Sequence, residues 1–294
     1  MITASLVKEL RELTGAGMMD CKKALEANNG DIQASVDWLR EKGIASAAKK
    51  SGRVAAEGTT IVKTEGNIGV VVEINSETDF VAKNEKFVEL VNGVSSTILA
   101  GKPADLDAAL ALDYNGETVG DAIVAATATI GEKITLRRFE ILEKSDDEFF
   151  GSYIHMGGKI SALTVLKGGN EELARDIAMQ VASMSPQYVS QENIPSEIVD
   201  KETAIQVEIV KNDASLAGKP EQVVAGIIKG RVSKSMQEIS LVDQIFFKDG
   251  KAKVAQIVKD AGATVVTFVR YAVGEGIEKR EEDFAAEVAK ASQI

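Results

Sequence analysis

Two stretches of this chain follow the same order of local signals, and that repetition limits the fold more than any other feature. Residues 59–62 and 68–74 alternate as strands about Glu65-Gly66-Asn67 and lead into a helical pattern that Asn84 can cap. The apolar stripe of that helix is Phe87, Val91, Val94 and Ile98. Residues 149–154 and 160–166 repeat the strand signals about Met156-Gly157-Gly158, and Asn170 can cap a helix striped by Leu173, Ile177, Val181 and Met184. Each unit is closed by a later strand, in which Thr135, Arg138 and Phe139 recur as Thr267, Arg270 and Tyr271, 132 residues on. The expected fold is therefore α+β: two related subdomains, each a small antiparallel sheet of about three strands with helices on one face.

The copies differ in one place. The first joins its strand to its helix through nine residues, Asn75-Ser76-Glu77-Thr78-Asp79-Phe80-Val81-Ala82-Lys83, and the second through three, Lys167-Gly168-Gly169. The extra residues set an aromatic beside a carboxylate at a turn, and such loops lie on the surface and carry function. Two readings of Phe80 are open at this point: it is offered outward, or it tucks beneath its own helix, as large apolar side chains usually do.

Around this core the patterns are helical. Residues 3–42 read as a three-helix unit. Thr3 and Asp31 are caps, and the stripes are Leu6, Leu10 and Leu13, then Met18, Cys21 and Leu25, then Ile32, Ser35, Val36 and Leu39. The small, basic segment 43–53 reads as a linker, part helical and part flexible. Pro195-Ser196 opens a helix with Ile198, Ile205 and Ile209, and Pro220 starts a return helix with Val224, Ile227 or Ile228, and Val232. This is a projecting antiparallel hairpin, either self-contained or docked to another molecule. Gly274-Glu275-Gly276 ends the last strand, and Phe284, Val288 and Ile294 stripe a C-terminal helix. The implied divisions are 1–54, 55–143, 144–276 with the hairpin at about 190–240, and 277–294.

Composition removes most chemistry. A net charge of −11 argues against nucleic acid or an anionic membrane as partner, since both need a basic footprint. No apolar run is long enough to span a bilayer, and the N-terminus lacks the apolar stretch of a signal peptide. One cysteine, Cys21, excludes an internal disulfide and fits a reducing cytoplasm. One histidine and one cysteine make no zinc cage, and Cys21 and His155 fall in different units, so no nucleophilic pair is expected. Gly15-Ala16-Gly17 lacks the third glycine of a dinucleotide fingerprint, and Gly157-Gly158-Lys159 lacks the hydroxyl residue of a phosphate loop. The expectation is an interaction protein with no cofactor, no metal and no catalytic residues.

Three motifs carry a resemblance. Residues 10–25, with Leu13-Thr14-Gly15-Ala16-Gly17-Met18-Met19-Asp20-Cys21, resemble the N-terminal signature of the bacterial elongation factor Ts family. Thr78-Asp79-Phe80-Val81-Ala82-Lys83-Asn84 is similar to its second signature, and Gly274-Glu275-Gly276-Ile277-Glu278-Lys279 with Asp283-Phe284-Ala285 to its C-terminal module. The resemblance implies a guanine-nucleotide exchange factor for elongation factor Tu, met in GDP-bound and nucleotide-free states. It also implies a ubiquitin-associated-like three-helix domain, a two-subdomain core, an inserted coiled-coil hairpin and a C-terminal module. Thr78, Asp79, Phe80 and Val81 would disturb the partner's Mg²⁺ site. Met18 and Met19 would meet the same partner domain, one of them being expected in the core, and His155 would lie on the part that grips another. A homodimer through the hairpin is a further arrangement it allows, and a passive adaptor or chaperone with no effect on nucleotide is the competing function.

Overall fold

The computed structural model describes residues 2–216 and 218–278. The helix expected over Phe284, Val288 and Ile294 lies outside the described residues.

The chain opens with α1 (Ala4–Thr14), α2 (Met18–Ala27) and α3 (Ile32–Lys50). Thr3 Oγ1 accepts from Leu6 N–H and the Asp31 carboxylate from Ala34 N–H, so both expected caps form. Leu10, Cys21, Ala24 and Leu25 are fully buried, with Leu6, Val36 and Leu39 packed on them. Leu13 and Met18, expected in the stripes, are instead 64% and 60% exposed, and Met19 is exposed as well. Leu13 lies in the last turn of α1 and Met18 begins α2, and so small a core does not reach the ends of its helices.

The basic linker 43–53 is helical over most of its length. Helix α3 continues to Lys50, and residues 43, 46, 47 and 50, one face at helical spacing, are its less exposed positions. That face packs on α7 (Val119–Ile130), so closely that a Cβ on Gly43 would stand 3.2 Å from the Ala128 Cβ. Small residues permit this approach, and the Arg40–Asp121 ion pair at 3.4 Å flanks it.

Strands β1 (Glu57–Glu65) and β2 (Ile68–Ser76) form the first hairpin, and β5 (Thr135–Glu143) pairs with the other edge of β2. Between them lie α4 (Asp79–Ala82), α5 (Glu85–Gly101), α6 (Leu106–Leu110), the short strands β3 (Asp113–Tyr114) and β4 (Glu117–Thr118), and α7. All four expected stripe residues of α5 are buried against Val70, Val72 and Ile74 of β2. The second sheet has the order β6 (Glu148–His155), β7 (Ile160–Lys167), β8 (Thr264–Ala272), and α8 (Glu171–Met184) covers it. Ile177 and Val181 of α8 are buried, but Met184 in its last turn is exposed.

The two sheets stack face to face, with helices on the outer sides. Strand β2 is therefore buried on both faces, which its nearly unbroken apolar run reflects. Val71, Leu163 and Val165 have no exposure, and Thr60 N–H donates to Gly158 O across the junction at 2.7 Å. The two sheets share strand order and antiparallel pairing, but their closing strands do not correspond at the expected spacing. Both closing strands carry a bulge, at Arg137 opposite Glu73 and Ile74 in one sheet and at Val266 opposite Val165 and Leu166 in the other. Matching the bulges sets Leu136 opposite Val265 in the comparison and Phe139 opposite Phe268, a spacing of 129. The spacing of 132 is off by an odd number, which would turn every side chain to the other face.

The inserted hairpin consists of α9 (Ser196–Lys211) and α10 (Glu221–Ile239), and α11 (Val254–Asp260) follows it. Its seam holds Val210, Val232 and Met236, with Ile198, Val199 and Ile228 alongside. Ile205 and Ile209 are not in the seam; they are 44% and 46% exposed. Val199, Thr203, Gln206 and Val210 make the inward row, and the two isoleucines fall one position short of it.

Candidate partner-binding surface

Ser76 ends β2, and the chain then makes one helical turn, α4, before α5 begins. Thr78 Oγ1 caps that turn by accepting from Val81 N–H at 3.4 Å, and the Ser76 hydroxyl donates to Thr78 O at 2.9 Å. Consecutive side chains on a helix point about 100° apart. Val81 and Ala82 turn inward onto the α5 core, which leaves Phe80 directed out and 82% exposed. The tucked reading of Phe80 is thereby excluded. Asp79 pairs with Lys83 at 3.0 Å, and both side chains are largely solvated, so the pair adds about 0.3–0.5 kcal/mol. Thr78, not Asp79, is the N-cap of this turn.

The turn is held from below by residues the sequence did not single out. Glu132 Oε2 accepts from the N–H groups of Glu77 and Thr78 at 3.1 and 2.9 Å, and its Oε1 accepts from the Thr78 hydroxyl at 2.7 Å. In return Glu77 Oε1 accepts from Lys133 N–H at 2.6 Å and from Arg53 Nη1 at 3.2 Å. Lys133 Nζ donates to the carbonyls of Ser51 and Arg53, just beyond α3. No local pattern could have found this clasp, because its halves lie more than fifty residues apart.

Met18 and Met19 stand at the start of α2, both outward. Lys86 Nζ, in the first turn of α5, donates to Gly15 O at 3.2 Å and so draws the α1–α2 turn toward the Phe80 segment. His155 ends β6, with Nδ1 3.1 Å from the Tyr153 hydroxyl, and is only partly exposed. Its neighbour Met156 is 73% exposed in a left-handed turn (φ 49°), which makes it the more prominent apolar group there. That turn rests on Thr60, and Lys159 reaches Glu57 at 2.6 Å. Glu57 pairs with Ser76 in register, so the His155 turn and the Phe80 segment leave the same end of the stacked sheets.

Under that end lies a buried carboxylate. Glu73 has no exposure and is contacted by Arg137 at 2.9 Å, Arg138 at 2.6 Å and the Gly274 N–H at 2.8 Å. Burial alone raises its pKa, but the hydrogen bonds from Gly274, Arg137, Arg138 and Asn75 outweigh it and hold the carboxyl below the usual glutamate value. Arg138 also stacks 4.0 Å over the Tyr271 ring, whose hydroxyl is pushed up to about 12 by burial and then by the Glu140 charge. Gly274 has φ 70°, and a Cβ there would meet Ala56 O at 2.1 Å, so the Gly274-Glu275-Gly276 motif answers a steric need.

Among the described residues no group of three or more His, Cys, Asp or Glu side chains is placed to hold a metal, and no helix is long and apolar enough to cross a membrane. A family model described as Elongation factor TS matches residues 77–275. The match begins just after β2 and takes in the Phe80 turn, β5, the whole second sheet and the inserted hairpin. Matched from Glu77 to Glu275, over more than half of its length, the chain belongs to the elongation factor TS family.

Proposed function

We propose that this protein binds elongation factor Tu in the cytoplasm and promotes exchange of its GDP for GTP, with Phe80 as the inserted group. The observation that carries this reading is one benzyl side chain, 82% exposed, on a turn held by three hydrogen bonds to the Glu132 carboxylate. An aromatic brings large apolar area at low rotamer entropy, which suits a wedge. Thr78 and Val81 set its direction, and Asp79 brings a negative charge beside it. Met18 and Met19 supply a second contact and His155, with Met156, a third. Disturbing the partner's Mg²⁺ exposes the phosphates' mutual repulsion and loosens the nucleotide. The protein thus acts by contact and makes or breaks no bond.

Linkage sets the scale. A factor that binds the empty partner better than the loaded one weakens nucleotide binding in the same ratio. Burying one aromatic contributes about 1.5–3 kcal/mol, which converts to roughly tenfold to a hundredfold in release rate. Further acceleration therefore requires the methionine and His155 contacts. The divisions 1–54, 55–143, 144–276 and 277–294, including the ubiquitin-associated-like first unit, belong to the same proposal. So does a homodimer through the exposed Ile205 and Ile209 flank of the coiled-coil hairpin.

Release of fluorescent GDP from elongation factor Tu tests the reading. Catalytic amounts of the protein are expected to accelerate release, and Phe80→Ala to lose roughly tenfold or more of that acceleration while still forming the complex. Complex formation with no change in release at saturation would instead identify a passive adaptor or chaperone.

A further inference from the structure

We infer that Glu132 is the positioning residue of the Phe80 turn, an inference that rests on the exchange reading for its functional consequence. One carboxylate satisfies two successive backbone N–H groups, of Glu77 and Thr78, and takes the Thr78 hydroxyl proton as well. Charge-assisted bonds to backbone donors are the stronger class, and three on one side chain define both position and direction. Because the Thr78 hydroxyl spends its proton on Glu132, its lone pairs are left to cap Val81 N–H. The carboxylate therefore sets the phase of α4, and the phase of α4 is what turns Val81 in and Phe80 out.

Glu132 is also placed to relay force. It follows α7 by one residue, Gly131, and α7 is the helix on which the three-helix unit packs through α3. Lys133 grips the chain just beyond α3 at Ser51 and Arg53, and Glu77 returns a bond to the Lys133 N–H. The Phe80 turn and the mount of the Met18/Met19 turn thus share one two-residue joint. A wedge transmits strain only if its base does not yield, and Glu132 is that base.

The test uses the full chain and two kinds of readout. In the free protein, Glu132→Ala is expected to raise amide hydrogen exchange at residues 77, 78 and 81 by about tenfold or more and leave β6, β7 and β8 unchanged. In the GDP-release assay its maximal rate falls about tenfold, while the half-saturating concentration moves less than about threefold. Glu132→Gln, which keeps one acceptor oxygen, lies between. The double variant Glu132→Ala/Phe80→Ala is no slower than Phe80→Ala alone, since the carboxylate acts only through the ring. Unchanged amide exchange in the single variants overturns the inference, and so do losses that multiply in the double variant. If the unsubstituted protein fails to accelerate release, the exchange reading has failed, and amide exchange alone decides whether Glu132 holds the turn. Loss of protection throughout β6–β8 in Glu132→Ala would show global unfolding, and Glu132→Gln then carries the comparison.

Discussion

Phe80 and Val81 are adjacent, both apolar, and oppositely placed, and the difference comes from a single helical turn capped at Thr78. Because Phe80 contributes almost nothing to the folded core, Phe80→Ala is expected to change unfolding free energy by less than about 0.5 kcal/mol in urea titrations. Its effect on GDP release then reads as function alone. Gly151 behaves in the reverse way. A Cβ there would stand 1.8 Å from Ala174 O, where β6 meets α8, so Gly151→Ala has to push strand from helix. That variant is expected to lose about 2 kcal/mol or more of stability, with exchange activity per folded molecule retained. The caps at Thr3, Asp31, Asn84 and Asn170 are legible in the sequence, because a capping side chain and the N–H that donates to it lie within three residues. It made Phe80 conspicuous but not its direction. Glu132 was invisible, since its partners are distant in the chain and a lone surface glutamate carries no pattern.

At the scale of elements, hairpins and the helices that follow them were readable, because periods of two and of 3.6 are local properties. Residues 102–134 gave no pattern, yet they supply α6, the β3–β4 pair and α7, elements too short or too uniformly apolar to show an amphipathic stripe. Matching residue types align the two closing strands at a spacing of 132, whereas the bulges fix their correspondence at 129. Ile205 and Ile209 matched a heptad-like spacing, but the seam follows Val199, Thr203, Gln206 and Val210, with Glu202 bonded to Ser235 across it at 2.8 Å. An exposed isoleucine pair on a projecting helix is surplus to folding. Ile205→Gln with Ile209→Gln is expected to leave the melting temperature within about 2 °C and to shift any self-association toward monomer in sedimentation. Unaltered sedimentation of a dimeric wild type and its variant would remove this flank from the interface.

The molecule as a whole is two sheets closed over one another, and Glu73 is the charge sealed at their open end, between Arg137, Arg138 and the Gly274 amide. Its pKa is lowered on folding, so its contribution is fully present above the ordinary glutamate pKa of about 4.3 and is lost as pH falls through the lower folded value. Glu73→Gln is expected to cost about 3 kcal/mol near neutral pH, since it takes from Arg137 and Arg138 the buried charge they share. The stability gap between wild type and variant should close as pH drops below about 4, which urea titrations across pH can follow. A gap that persisted unchanged into acid would mean the carboxylate's charge is irrelevant to the junction. The unbroken course of α3 to Lys50 has a different import. A recognition module hung on a slack tether would have to find its target twice, once for each patch. Under the proposed function, a stiff strut would bring the paired methionines into the same encounter as the ring, at the high effective concentration of a rigid connection. Whatever seizes one patch is already aligned for the other, and recoil at either is felt by both.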